Sequence, residues 1–96
     1  MKRDEVIRLL RRFRDMNKDK YRIVRLGIFG SAARDTMNES SDIDVVVELT
    51  VPDMFILIGI KQELEEQFDC HVDIVRYRAD MNAFLKSRID QEALYV

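Results

Sequence analysis

With 96 residues, a formal net charge of −2 and one cysteine, the chain is sized for a single small domain and excludes an internal disulfide framework. No apolar run nears the roughly 20 residues of a membrane span, and the charged N-terminus has no signal-peptide core. The lone cysteine, Cys70, fits a reducing cytoplasm, and without a Cys/His cluster no structural zinc site is expected.

The first predicted element is an amphipathic helix over 3–18. Val6, Leu10 and Phe13 recur at helical spacing, Ile7, Leu9 and Met16 lie beside them, and Asn17 is the expected stop. Residues 1–25 hold ten Lys or Arg against four Asp or Glu, and the rest of the chain six against fourteen. A solvated helix face accounts for this basic excess; attraction to ATP, RNA or an acidic partner is the functional alternative. The basic residues lack interleaved aromatics, so a sequence-reading nucleic-acid module is not expected. A strand over 22–29 follows, with Val24, Leu26 and Ile28 on one face and Arg25, Gly27 and Phe29 on the other. Gly27 marks either space beside a ligand or backbone crowding.

Gly30 and Ser31 end that strand. Glycine lets a backbone approach a phosphate closely, and Ser31 adds a hydroxyl and an N–H. A short helix over 31–34 is expected, with Ser31 near its N-cap and Arg34 facing either phosphate or a local acid. Residues 36–41 read as a polar turn in which Met37 is a packing anchor or an exposed contact and Glu39 is solvated. The next strand, 42–49, alternates cleanly: Ile43, Val45, Val47 and Leu49 face a core, while Asp42, Asp44, Val46 and Glu48 share the other face, with Glu48 expected toward solvent. Two neighbouring carboxylates repel each other, and a hard cation such as Mg²⁺, which takes oxygen ligands from carboxylates and substrate phosphates, relieves that repulsion.

Pro52 precedes a helix over 53–68 whose first half, Met54 to Ile60, is apolar nearly all round. That half calls for core burial or a docking protein. A third strand, 71–75, puts Val72 and Ile74 toward the core and Asp73 on the side of Asp42 and Asp44, provided the strands are adjacent and in register; His71 is expected at the surface or strand edge. A last helix over 79–91, with Met81, Phe84, Leu85 and Ile89 as its apolar side, leads to a tail that either frays or adds a short edge strand with Tyr95 accessible. The expected class is α/β (α+β): a mixed sheet of three or four strands with helices on one face and the site on the other.

Gly30-Ser31, Arg34, Asp42-x-Asp44 and a later Asp73 on its own strand together resemble the signature of the nucleotidyltransferase superfamily related to DNA polymerase beta. The short chain, and the tail Glu92-Ala93-Leu94-Tyr95-Val96, are most similar to the minimal nucleotidyltransferases, the antitoxins of HEPN/MNT toxin–antitoxin pairs. The resemblance implies a nucleotidyltransferase fold and a reaction in which a hydroxyl attacks the α-phosphorus of a nucleoside triphosphate. It implies Asp42, Asp44 and Asp73 as catalytic ligands of two Mg²⁺ ions, Gly30, Ser31 and Arg34 toward the phosphates of ATP, and a tyrosine of a cognate HEPN ribonuclease toxin as acceptor. Two alternatives stay open: an antitoxin that neutralises by binding alone, and a small-molecule (antibiotic) nucleotidyltransferase. Asp35 departs from the family, which commonly has glycine there; a required positive φ, or a carboxylate beside the triphosphate, would each tell against it.

Overall fold

The computed structural model describes residues 1–38 and 40–96; Glu39, expected to be solvated, lies outside the described residues. The chain runs α1 (Arg3–Tyr21), β1 (Ile23–Phe29), α2 (Gly30–Arg34), β2 (Ile43–Leu49), α3 (Met54–Phe68), β3 (Val72–Arg76), α4 (Ala83–Glu92) and β4 (Leu94–Tyr95). One four-stranded sheet has the order β3-β2-β1-β4. β1 is antiparallel to both β2 and β4, and β2 is parallel to β3 across the α3 crossover. β2 is interior to the sheet and covered on both sides, which is why Val45, Val46 and Val47 are all fully buried.

Two apolar clusters flank the sheet. On one side, Val6, Leu10 and Phe13 of α1 and Ile60, Leu64 and Phe68 of α3 pack on Leu26, Ile28, Ile43, Val45 and Val47. Burying each such large side chain contributes about 1.5–3 kcal/mol, so this layer supplies most of the fold's cohesion. On the other side, Ile89 of α4 closes over Phe29 and Val46, with Leu85 and Met81 beside it. The mixed sheet is as expected, and α4 adds cover to the second face.

Several local expectations shift. α1 continues past Asn17, whose side-chain amide donates to the Phe13 carbonyl, and stops only at Arg22, which takes a positive φ of 55°. In β1 the register slips between Ile23 and Arg25, so Ile23 rather than Val24 enters the core and Val24 faces out. Met37 is a packing anchor against the main cluster. Asp53 caps α3, accepting from the Phe55 and Ile56 amides at 2.8 and 3.4 Å. Core burial of the apolar first half of α3 is incomplete: Ile60 is buried, but Met54 and Phe55 are 73% and 85% exposed. α4 starts at Ala83, where the Asn82 side chain accepts from the Leu85 amide. With Leu85 and Ile89 turned toward the sheet, Phe84, about 100° round the helix from Leu85, leaves the apolar side it was expected to join and is 77% exposed. The tail does add an edge strand, and a Cβ at Gly27 would stand 2.6 Å from the Leu94 carbonyl oxygen. Gly27 therefore makes room for β4, not for a ligand.

Asp35 sits in the left-handed region at φ 59°, closing α2. Its side chain accepts from the Arg3 amide at 3.0 Å, satisfying a free donor in the first turn of α1, whose own N-cap, Lys2, supplies no side-chain bond. The unfavourable backbone is offset by capping a second helix. Asp35→Gly is expected to leave stability within about 1 kcal/mol, because the relieved backbone compensates the lost cap. Asp35→Ala loses the cap and keeps the backbone cost, so a destabilisation of about 1–2 kcal/mol is expected by denaturant titration.

Candidate active site

The site is assembled where the end of β1 meets the start of β2. Phe29 of β1 and Asp73 of β3 are the register partners of Asp44 on its two sides. A period of two puts Asp44 on the face opposite Ile43 and Val45, and the parallel register puts Asp73 on that same face. Gly30, next along from Phe29, has φ +66°, and a Cβ there would overlap the Asp44 carboxylate. Glycine is thus needed twice at that position, for its backbone and for its lack of a side chain. The expected N-cap role of Ser31 is not realised: Phe29 occupies the cap without a side-chain bond, and Gly30 already begins the helix. Ser31 is half-buried.

The structure brings Gly30, Asp44 and Asp73 together. Asp42 stands one residue ahead of β2, outside the ladder that begins with Ile43 and Val72. It is exposed and lines an open groove of about 630 Å³ with Ser40, Ser41, Glu65, Asp69, Cys70 and His71. His71 is exposed there, its Nδ1 3.4 Å from Glu65, as a surface residue would be. Arg34 reaches neither Asp42 nor Asp73; its Nη1 is 3.1 Å from Glu92. Burial pushes the Asp44 carboxyl above its usual range, and the carboxylates of Asp73 and, less strongly, Asp42 add to the effect. Arg88 and Arg34 pull it back down. Among the described residues, none of these three aspartates has an ion-pair partner.

Among the described residues, no three His, Cys, Asp or Glu side chains converge into a metal cage. The donor set fits a divalent cation in another way. Asp44 and Asp73 are a facing pair of hard oxygen ligands with no direct ion pair among the described residues, and Mg²⁺ commonly takes one or two carboxylates, completing its shell with water and substrate phosphate. A triphosphate would therefore bring the ligands that a third close carboxylate does not.

Arg88 and Glu92, both on α4, were missed in reading the sequence. The Arg88 guanidinium lies 6.0 Å from the centre of the Phe29 ring, and Glu92 accepts from the Gly30 amide at 3.2 Å. Their i,i+4 spacing marks a helix pair, but nothing local tells which site it faces.

A strand-end glycine turn, a short helix and facing aspartates on adjacent strands form an arrangement of the nucleotidyltransferase class. The family model described as "Nucleotidyltransferase domain" matches residues 10–96, and the chain belongs to that family as a minimal nucleotidyltransferase domain. It is 33% identical over 93 residues to the Methanocaldococcus jannaschii protein named "Putative protein adenylyltransferase MJ0128", covering 96% of this chain and 95% of that one. A solved structure described as a "putative minimal nucleotidyltransferase" superposes with a TM-score of 0.80 at 28% identity, covering 98% of this chain and 95% of its own. A tri-AMPylated Shewanella oneidensis HEPN toxin in complex with its MNT antitoxin shares the fold, with a TM-score of 0.63 at 21% identity over 97% of this chain and 66% of that one.

Replacing Asp44 with Asn is expected to stabilise the protein free of nucleotide at neutral pH. The folded-state pKa of Asp44 lies above the unfolded one, so just above the ordinary carboxylate range the native protein keeps a proton that the unfolded chain has released. Native stability therefore falls as pH rises through that window. The melting temperature of Asp44→Asn should exceed that of the wild type by a few degrees at pH 7, and the difference should vanish on acidification. Thermal melts of both proteins across pH measure this.

Proposed function

We propose that the chain is a protein adenylyltransferase: it transfers AMP from ATP to a hydroxyl, a tyrosine of a cognate HEPN-type toxin, and so acts as that toxin's antitoxin in the cytoplasm. The observation that carries this reading is the register that sets Asp73 opposite Asp44 beneath Gly30. The names borne by the M. jannaschii relative and the S. oneidensis complex support the transfer to protein and the toxin partner respectively. Residues 1–96 would act as one minimal domain, with the acceptor presented by another molecule.

In this reaction the acceptor oxygen forms a bond to the α-phosphorus, the bond from that phosphorus to the β-phosphate bridging oxygen breaks, and pyrophosphate leaves. Gly30 and Ser31 hold the β- and γ-phosphates, the Gly30 amide donating to a phosphate oxygen. Arg34 of α2 and Arg88 of α4 offset phosphate charge. Asp44 and Asp73, joined by Asp42 on the family resemblance, would hold the divalent cations, two by that resemblance, which would neutralise the phosphates and lower the pKa of the acceptor hydroxyl. Asp73, exposed at the β3 edge, stands nearest the incoming hydroxyl and accepts its proton. Rate enhancement comes mainly from positioning and charge neutralisation.

The exposed apolar residues Met54 and Phe55 at the start of α3 offer a surface for the toxin. The Asp35 carboxylate, at the one departure from the family pattern, accepts from the Arg3 amide, and this weighs against neutralisation by binding alone.

The test uses ATP labelled at the α-phosphate, Mg²⁺, and host lysate or the co-expressed toxin, beside an Asp44→Asn control. A labelled toxin band is expected that falls by roughly 100-fold or more in Asp44→Asn, on the scale of losing one electrostatic element of a catalytic site. A tightly bound partner that never takes label would sink the catalytic reading. Label on a free small acceptor would redirect it to an antibiotic-type transferase.

A further inference from the structure

Glu92 is the last residue of α4, an unfavourable place for an acid, because the helix C-terminus carries the negative end of the dipole. Its pairing with Arg88 also runs in the weaker order, the base preceding the acid. Local helix energetics do not explain why the carboxylate sits there, but its contacts do. One oxygen, Oε2, accepts from the Gly30 amide at 3.2 Å and from Arg34 Nη1 at 3.1 Å, and lies 3.8 Å from Arg88 Nη2. A backbone amide and two guanidinium groups around one anionic oxygen are the surroundings of a bound phosphate oxygen. Two residues on, β4 pairs with Gly27 and Ile28 and anchors the end of α4 beside Gly30. The side chain itself remains 27% exposed, with rotatable bonds enough to swing into solvent.

We propose that Glu92 is an internal gate, its carboxylate occupying the phosphate seat until a nucleoside triphosphate displaces it and takes over Gly30, Arg34 and Arg88. This rests on the assignment of Gly30 and Arg34 to the phosphates. An occupied seat lowers apparent affinity by the fraction of molecules in which it is open. It also keeps a weak anion such as free phosphate out, while a triphosphate bound with its cation has the charge to compete. Gate opening is thereby tied to arrival of the substrate.

The test measures binding of inorganic tripolyphosphate and of a non-hydrolysable ATP analogue, with Mg²⁺, to wild type, Glu92→Gln and Glu92→Ala. The Gly30 amide is followed by NMR in each. Both variants are expected to bind both ligands roughly five- to ten-fold more tightly, the scale of removing one charge-assisted competitor. The Gly30 amide resonance should move on substitution and again on ligand addition. If the analogue shifts the Gly30 amide but binds wild type and both variants equally, the gate is overturned and the nucleotide site stands. If neither wild type nor either variant binds tripolyphosphate or analogue, both ideas fall together. Weaker binding in both variants, with their thermal melts unchanged, would make Glu92 a supporting residue and also overturn the gate.

Discussion

The rest of the structure depends on one strand register. Asp44 has Phe29 as its partner on β1 and Asp73 as its partner on β3. A slip of one residue on either side would turn a carboxylate into the apolar layer under α1 and α3 or strip the aspartate pair of its facing geometry. The register is pinned from the far side of the sheet, where Ile43, Val45, Val47 and Val72 are buried together. The most cohesive part of the core thus fixes the position of the least comfortable pair of side chains. Asp44 bears the cost, its carboxyl held above the usual range by burial and by the neighbouring carboxylates. Stored discomfort of this kind is common at functional sites and is released by the ligand.

The cationic groups arrive from elsewhere in the chain. Arg34 comes from α2, which begins directly at Gly30, and Arg88 comes from α4, which the tail strand ties back to β1. The opposing charges are thereby layered: aspartates on the sheet, arginines above them, and the carboxylate of Glu92 over the arginines. In the proposed reaction a triphosphate with its divalent cation would match the aspartates and the arginines and displace the Glu92 carboxylate. The tail is held in turn by Arg25, whose guanidinium lies 4.9 Å from the Tyr77 ring and 4.5 Å from the Tyr95 ring while pairing with Glu48 at 2.9 Å. A two-residue strand is weak alone, and this stacking gives it a fixed seat.

How much could be read from the sequence follows from how local each determinant is. The β2 alternation was legible because the strand is regular: Ile43, Val45, Val47 and Leu49 are buried on one face, while on the other Asp44 and Glu48 stay half-buried and Val46 alone is covered. The position of Asp73 was legible only conditionally, since a parallel register is set by α3 and not by local sequence. Val24 departs from the β1 alternation because a bulge shifts the strand's phase, and Phe84 leaves the apolar stripe because the sheet takes the Leu85 and Ile89 side of α4. Asp35 read as a defect in the loop until its bond to α1, 32 residues away, gave it a purpose. The roles of Arg88 and Glu92 were invisible for the same reason: the Gly30–Glu92 contact spans 62 residues and exists only once the tail has docked.

The most direct test of this account is calorimetric titration of a non-hydrolysable ATP analogue into the wild-type protein and into Asp73→Asn, with and without Mg²⁺. Wild type should bind the analogue tightly only when Mg²⁺ is present, and Asp73→Asn should lose most of that dependence. Equal affinity of the wild type with Mg²⁺ and with a chelator would mean that the Asp44–Asp73 pair does not need a cation delivered with its nucleotide, and would contradict the account at its base.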